Sequence, residues 1–366
     1  MRILAVDVGT GTQDILLFDS ERPVENSIKL VLPSPTEIAA RRIRRATAAG
    51  SPVLLAGTLA GGGPCHWALE DHLRAGLPAF ASQLAAQTFD DDLDRVREMG
   101  IEVVSEDEVS AFAGARIELR DLDLGAIRRA LAEFEEPPQF DGVAVACLDH
   151  GAAPPGMSDR VFRFDHLKRL VAERNDLLAF AYRPEDLPEY LTRARATVAS
   201  AGDEAPVVFM DTGPAAALGA LHDERVASEP ERLVLNLGNM HLLGFHLLGR
   251  KVASLYEHHT GEVSADQIVG FTMRMADGTL TNDEVFRSKG HGAHHADRCL
   301  VNAAVPAMVA ATGPQRSKIR GSELNPYFAA PFGDMMISGC FGLLRGFAEV
   351  YPEAREAVES RLGPLE

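Results

Sequence analysis

Three features of the sequence predict an α/β protein built in two halves with mixed sheets. Short apolar runs of strand length alternate with segments of helical period. Each half opens in the same way, with a hairpin, a third strand and then a helix. The 366 residues suffice for two domains with cores of their own, expected at 1–205 and 206–366.

RILAVDVG (2–9) and QDILLFDS (13–20) are apolar runs joined by a Gly/Thr turn, so they read as a hairpin. NSIKLVLP (26–33) is a third strand. SPTEIAARRIRRATAAG (34–50) is a helix: Ser34 is its N-cap, Pro35 fills the first turn, Glu37 stands three residues on, and Gly50 ends it. PVLLAGTLAGGG (52–63) is a buried strand entering a glycine loop, with a helix starting near His66. DGVAVACLDHG (141–151) is another buried strand, and a long helix is expected within 183–202. APVVFMDTG (205–213) is a strand, and PAAALGAL (214–221) is a helix of small residues. RLVLNLGNMHLLGFHLLG (232–249) is a second hairpin, followed by the strand KVASLYEHHTG (251–261) and a helix over about 264–276. MMISGCFGLLRGF (335–347) reads as a strand ending at Ser338-Gly339 and running into a helix.

Apolar residues at 46% and charged residues at 24% are ordinary for a globular protein. A net charge of −17 argues against nucleic acid or an anionic membrane as partner, since both are polyanions. No apolar run nears the roughly 20 residues of a membrane span, and no basic-then-apolar leader opens the chain. A cytoplasmic protein with reduced thiols and a small-molecule substrate is therefore expected. Cys65, Cys147, Cys299 and Cys340 lie far apart and form neither CxxC nor CxxxCxxC. That excludes a zinc ribbon and a three-cysteine iron–sulfur motif.

Five groups of residues carry candidate chemistry. Asp7 ends the first strand, and Gly9, Thr10, Gly11, Thr12 and Gln13 follow. Glycine and threonine let backbone N–H groups approach an oxyanion, and an aspartate there can hold Mg²⁺ through water. A plain hairpin turn with a local aspartate cap accounts for the same residues. FMDTGPAAALGAL (209–221) brings Asp211 and Thr212 to a strand end, before a helix whose Ala215, Ala216 and Gly219 permit close packing. Asn236, Gly238, Asn239, Met240 and His241 surround the second hairpin turn, and Gly339 would let a flat ring lie against backbone.

GTLAGGGPCHWALEDH (57–72) joins a glycine loop to a helix N-terminus, which attracts anions. Gly62, Gly63, Cys65 and His66 are candidates there for a phosphate or acidic substrate, and the helix would lower the pKa of Cys65. A glycine turn beside a buried cysteine is the plain alternative. The histidines cluster in EHHTGE (257–262) and GHGAHHAD (290–297), with His66, His150, His241 and His246 in or beside the loops above. Imidazoles with carboxylates suit Zn²⁺, Fe²⁺ or Mn²⁺, and His291 with His295 is the candidate transition-metal pair. His150, His258 and His259 are candidates for substrate binding or acid–base work. As strand neighbours, His258 and His259 point to opposite faces. Capping, hydrogen bonding and surface exposure otherwise account for most histidines.

The segments 7–13, 211–219, 236–241 and 338–342, in this order, resemble the actin, sugar-kinase and heat-shock-chaperone ATPase superfamily. The resemblance implies two ribonuclease-H-like (actin-like ATPase) domains with mixed sheets and ATP with Mg²⁺ in a central cleft. It gives Asp7 the Mg²⁺ through water, and Asp211 or Thr212 a water or metal to orient. It gives the amides from Gly9 to Gln13 and from Gly238 to His241 the phosphates, and Gly339 the adenosine. A small-molecule kinase, a slow ATPase, a nucleotide-sensing protein and a metal-dependent enzyme using a His/Glu cluster stay open.

Two departures bear on chemistry. Asn236 stands where the superfamily usually has Asp, and Asp211 lies one place before the usual carboxylate position, which is Thr212. They weaken the case for phosphoryl transfer more than for binding. A closer resemblance spans nearly the whole chain. It is carried by GGGPCHWALEDHLRAGLPAFA, TFDDDL, DHGAAPPGMSDRVFRF, MDTGPAAALGAL, YEHHTGE and GTLTNDEVFRSKGHGAHH. These look like a prokaryotic family labelled "putative pyruvate formate-lyase activating enzyme". A radical activase needs CxxxCxxC, which this chain lacks.

Overall fold

The apolar alternation at the start of the chain folds as a hairpin. β1 (Arg2–Val8) pairs antiparallel with β2 (Thr12–Asp19), with Leu4 opposite Leu17 and Asp7 opposite Asp14. The structure, a computed structural model, describes residues 1–296 and 306–365, so Asp297 and Cys299 lie outside the described residues. β3 (Ile28–Pro33) joins the outer side of β2. Ser34 caps the helix Pro35–Ala48, accepting from the Glu37 N–H at 3.2 Å.

The chain then builds a separate parallel sheet from β4 (Val53–Gly57), β5 (Ala79–Ser82), β6 (Ile101–Val104) and β7 (Ala115–Leu119), in the order β6-β5-β4-β7. It has its own core, including Ile43, Leu55, Leu69, Val96 and Ile117. Of these strands only β4 stands out in the sequence. The chain returns with β8 (Gly142–Cys147), parallel to β1, and β9 (Ala181–Tyr182) and β10 (Val207–Asp211) complete the order β3-β2-β1-β8-β10-β9. Within 183–202 the α-helix is only Thr192–Ala199; Pro184 opens a short 3-10 turn, Pro184–Asp186, and Pro188, lacking an N–H, does not extend it.

β10 takes β8 as its parallel partner and so belongs to the first sheet. The passage to the second sheet runs through the helix Thr212–Ala220. The second sheet comprises β11 (Glu231–Leu237), β12 (His241–Leu248), β13 (Lys251–His259), β14 (Gly292–His295), β15 (Met308–Thr312) and β16 (Tyr327–Phe328). Its order is β14-β13-β12-β11-β15-β16. The run β13-β12-β11-β15-β16 repeats β3-β2-β1-β8-β10. In both, a hairpin carries an antiparallel third strand on one side and two parallel strands on the other. This is the ribonuclease-H-like arrangement twice over, the architecture of actin-like proteins.

Two helices lie between the sheets. The connecting helix Thr212–Ala220 is buried from Gly213 onward, and the C-terminal helix Ser338–Val350 is buried from Ser338 to Ala348. They share one core with both sheets, including Ile3, Leu16, Leu218, Phe245 and Phe341. Glycine makes their crossing possible. A Cβ on Gly219 would overlap the Ser338 carbonyl, and one on Gly342 would overlap the Ala215 carbonyl. Gly342→Ala is therefore expected to cost about 3 kcal/mol, the upper end of ordinary overpacking. A urea midpoint equal to wild type would show that the helices separate freely.

Residues 335–337 form no strand, contrary to the sequence expectation, and the helix begins at Ser338. Both neighbours of β15 are already filled, by β11 and β16. The segment lines the cleft instead. Among the described residues no helix is long and apolar enough to cross a membrane.

Candidate functional site

Each sheet delivers its hairpin turn to one cleft. In the first turn the Gly9 N–H donates to Thr12 O at 2.9 Å, leaving Thr10-Gly11 as a two-residue tip. In the second, the Gly238 N–H donates to His241 O at 2.9 Å, leaving Asn239-Met240. The tips meet, since a Cβ on Gly11 would overlap the Asn239 amide. Gly9, Thr10 and Thr12 from one turn, and Asn236, Gly238, Asn239, Met240 and His241 from the other, line a cavity of about 850 Å³. Gln13 turns away, its Nε2 donating to Pro33 O at 3.0 Å.

Asp7 and Asp14 face each other across the β1–β2 ladder, where like charges repel. Burial pushes the Asp7 carboxyl up to about 7; the Thr212 hydroxyl, donating to Asp7 Oδ1 at 2.6 Å, draws it back, and nearby Asp211 adds to the rise. Burial, with Asp7 second, pushes Asp14 up to about 8. Asp14 Oδ1 is buried without a hydrogen-bond partner among the described residues. Gly339, expected beside adenosine, packs on Asp7, for a Cβ there would overlap Asp7 Oδ2.

Sequence reasoning missed Asp14, though the signal was present. Asp7 and Asp14 are equally distant from the Thr10-Gly11 tip, so a two-residue loop sets them opposite. The equivalent pair in the second hairpin is Asn236 and Leu243, so only the first hairpin is charged at this position.

Asp211 is committed elsewhere. It caps the connecting helix by accepting from the Gly213 N–H at 3.1 Å, and it takes Arg163 Nη1 at 2.8 Å and Nη2 at 3.3 Å. Arg163, from the helix Asp159–Glu173, is only 1% exposed. Its Nη2 also donates to Glu257 Oε1 at 2.7 Å, and its Nη1 to Asp149 O at 2.9 Å. One guanidinium thus joins Asp211 on the first sheet to Glu257 on the second. Burial pushes Glu257 up to about 6, with Arg163 holding it back from rising further. The sequence offers no pattern linking positions 163, 211 and 257.

The glycine loop backs the first turn. Gly62 O accepts from the Thr36 hydroxyl, and a Cβ on Gly63 would lie 3.2 Å from Thr10 Cγ2. Cys65 is buried, and burial pushes its thiol up to about 12, opposite to the lowering expected from its helix N-terminus. Desolvation of the thiolate outweighs the helix dipole there. His66 faces outward in a groove of the inserted sheet, 3.5 Å from Glu70 and edge-on to Phe89.

The histidines regroup. His258 stacks on Phe271, with Nδ1 3.0 Å from His259 O and Nε2 3.1 Å from Ser288 Oγ. His295 does not meet His291. Residues 292–295 form a strand, and four residues along a strand span about 13 Å. His295 Nε2 lies 2.8 Å from Leu280 O instead. His291 meets His150 and His241, and one nitrogen of each lies within 4.8 Å of the others. The His259 ring borders them, its centroid 4.6 Å from that of His291. Cys65, Cys147 and Cys340 are free and sit in three different cores, so they form no cluster.

A family model described as "Putative pyruvate format-lyase activating enzyme (DUF1786)" matches residues 60–318. Comparison with curated proteins gave no match. Solved structures that resemble the chain include a ROK hexokinase from Thermus thermophilus, 15% identical over 69% of this chain and 47% of that one, with a TM-score of 0.24. The match thus spans about half the length of that relative. A protein described as "a putative N-acetylmannosamine kinase" from Listeria monocytogenes is 11% identical over 95% of this chain and 99% of its own, with a TM-score of 0.35. A ROK family glucokinase from Streptomyces griseus, crystallised with glucose and AMPPNP, is 12% identical over 94% and 98%, with a TM-score of 0.32.

Proposed function

The chain belongs to the DUF1786 family, and we propose that it binds a nucleoside triphosphate with Mg²⁺ in the cleft between its halves, acting as a small-molecule kinase or ATPase. One observation carries this reading: two hairpin tips from equivalent sheets meet above a pair of buried carboxylates. Asp7 and Asp14 are hard oxygen donors of the kind Mg²⁺ takes, and the partnerless Asp14 Oδ1 is an acceptor that a hydrated cation satisfies. The Gly9 and Gly238 amides are engaged inside their own turns, so the phosphates fall to the amides of Thr10, Gly11, Asn239 and Met240. Pro314, Met335 and Met336 form an apolar wall suited to a base. When bound, Mg²⁺ would neutralise phosphate charge. A small-molecule partner, rather than nucleic acid, accords with the net charge of −17. The radical chemistry in the family's description has no support in three cysteines buried in separate cores.

Calorimetry with ATP, with and without Mg²⁺, tests the reading. Binding at micromolar to millimolar ATP that strengthens with Mg²⁺ is expected, and no heat at millimolar ATP refutes it. Gly238→Val would set a branched side chain 2.8 Å from His241 O and distort the second tip. At least a tenfold loss of ATP affinity is expected. Phosphate release at saturating ATP separates an ATPase from a protein that only senses nucleotide.

A further inference from the structure

We propose that His150, His241 and His291 form a transition-metal site of the Zn²⁺/Fe²⁺ class. The three imidazoles are its ligands, and an open position faces the cleft to receive an oxygen donor of a substrate. His150 follows β8 in the first half, whereas His241 opens β12 and His291 precedes β14 in the second. The ion would clasp the two halves together.

The geometry fits one ion. His150 Nε2 and His291 Nε2 lie 3.2 Å apart. Two imidazoles on one ion, with metal–nitrogen bonds of about 2.0–2.1 Å, stand about 3.2 Å apart when the angle between them is about 100°. The ring centroids of His241 and His291 are 5.1 Å apart, as are those of His150 and His241. His241 Nε2 is buried without a hydrogen-bond partner among the described residues. Buried polar atoms normally have one.

Burial favours the neutral, ligating form of all three rings and pushes His150 down to about 3. The nearest carboxylates are otherwise engaged, Glu257 by Arg163 and Asp149 by the Gly151 and Ala194 amides. Three neutral nitrogens select a borderline-soft ion over Mg²⁺. Three protein ligands leave a coordination position free, the pattern of catalytic rather than structural zinc. His241 lines the cleft, so that position opens toward its contents.

The site stands apart from the nucleotide reading and is tested without nucleotide. Full-length protein is stripped with EDTA, then titrated with Zn²⁺ by calorimetry and with Co²⁺ by visible absorption. One ion per chain is expected, with a Co²⁺ band typical of nitrogen ligands. His150→Ala and His291→Ala should each weaken binding at least 100-fold, and His258→Ala, whose ring faces the opposite side of β13, should bind as wild type. Melting in EDTA shows whether each variant is folded. Wild-type protein that takes up no Co²⁺ overturns the proposal whatever the variants do. So does a folded His291→Ala that binds Zn²⁺ as tightly as wild type. Mg-ATP titrations run in parallel stand or fall separately.

Discussion

Arg163→Met is expected to lower the unfolding free energy by about 3–5 kcal/mol, the cost of leaving a buried ion pair half removed. Methionine keeps the apolar stem of the side chain but abandons two carboxylates. Asp211 and Glu257 would face each other with no cation between them, Glu257 in full burial. The loss should depend on pH. Without the guanidinium, the Glu257 carboxyl, which burial already pushes from 4.5 up to about 6, rises further. A raised folded pKa gives stability that is present below the unfolded value and lost as pH rises through the folded one. The gap between variant and wild type is therefore smallest near pH 4 and widens toward pH 8. Adding Glu257→Gln should recover part of it. Urea unfolding at the two pH values reads both effects. A cost under about 1 kcal/mol with no pH slope would mean that the clamp contributes nothing.

The same clamp shows where the sequence stops being informative. The hairpins, the third strands and the Ser34 cap are legible because each rests on residues a few positions apart. Their mutual approach is not, since only the repeated sheet order brings the Thr10-Gly11 tip against Asn239. Sites assembled from one hairpin lie between these cases. Asp7 with Asp14 follows from register alone once the loop length is known. The pairing of His291 with His295 fails because nearness in sequence is not nearness in space, and the strand Gly292–His295 carries the two apart. The trio at 150, 241 and 291 draws on both halves and on loops before and after strands, so no spacing announces it. Cys65 illustrates a competition of effects. Its helix N-terminus is readable, but the depth of burial that reverses the outcome is set by the Pro35–Ala48 helix and the inserted sheet.

Asp7→Asn should separate stability from binding by moving them in opposite directions. In the wild type, burial carries Asp7 from 3.8 to about 7 and Asp14 to about 8. For Asp7 alone, three units of displacement correspond to about 4 kcal/mol of disfavoured ionisation. The stability linked to its proton is present below pH 4 and lost as pH rises through 7. Asparagine carries no charge to desolvate and can still accept from the Thr212 hydroxyl, so the variant should melt higher than wild type at pH 8 and no higher at pH 4. The charge that strains the free protein is the charge that Mg²⁺ requires. Wild-type affinity for Mg-ATP should therefore climb between pH 6 and pH 9 as Asp7 and then Asp14 lose their protons. The variant, with one carboxylate, should bind Mg-ATP at least 100-fold more weakly at pH 8 and show a single step, moved to lower pH because Asp7 no longer repels the Asp14 charge. Calorimetry across that pH range with both proteins makes the comparison. A variant that melts higher yet binds Mg-ATP as wild type does would remove the metal from Asp7, leaving the carboxylate pair as strain without a cation to relieve it.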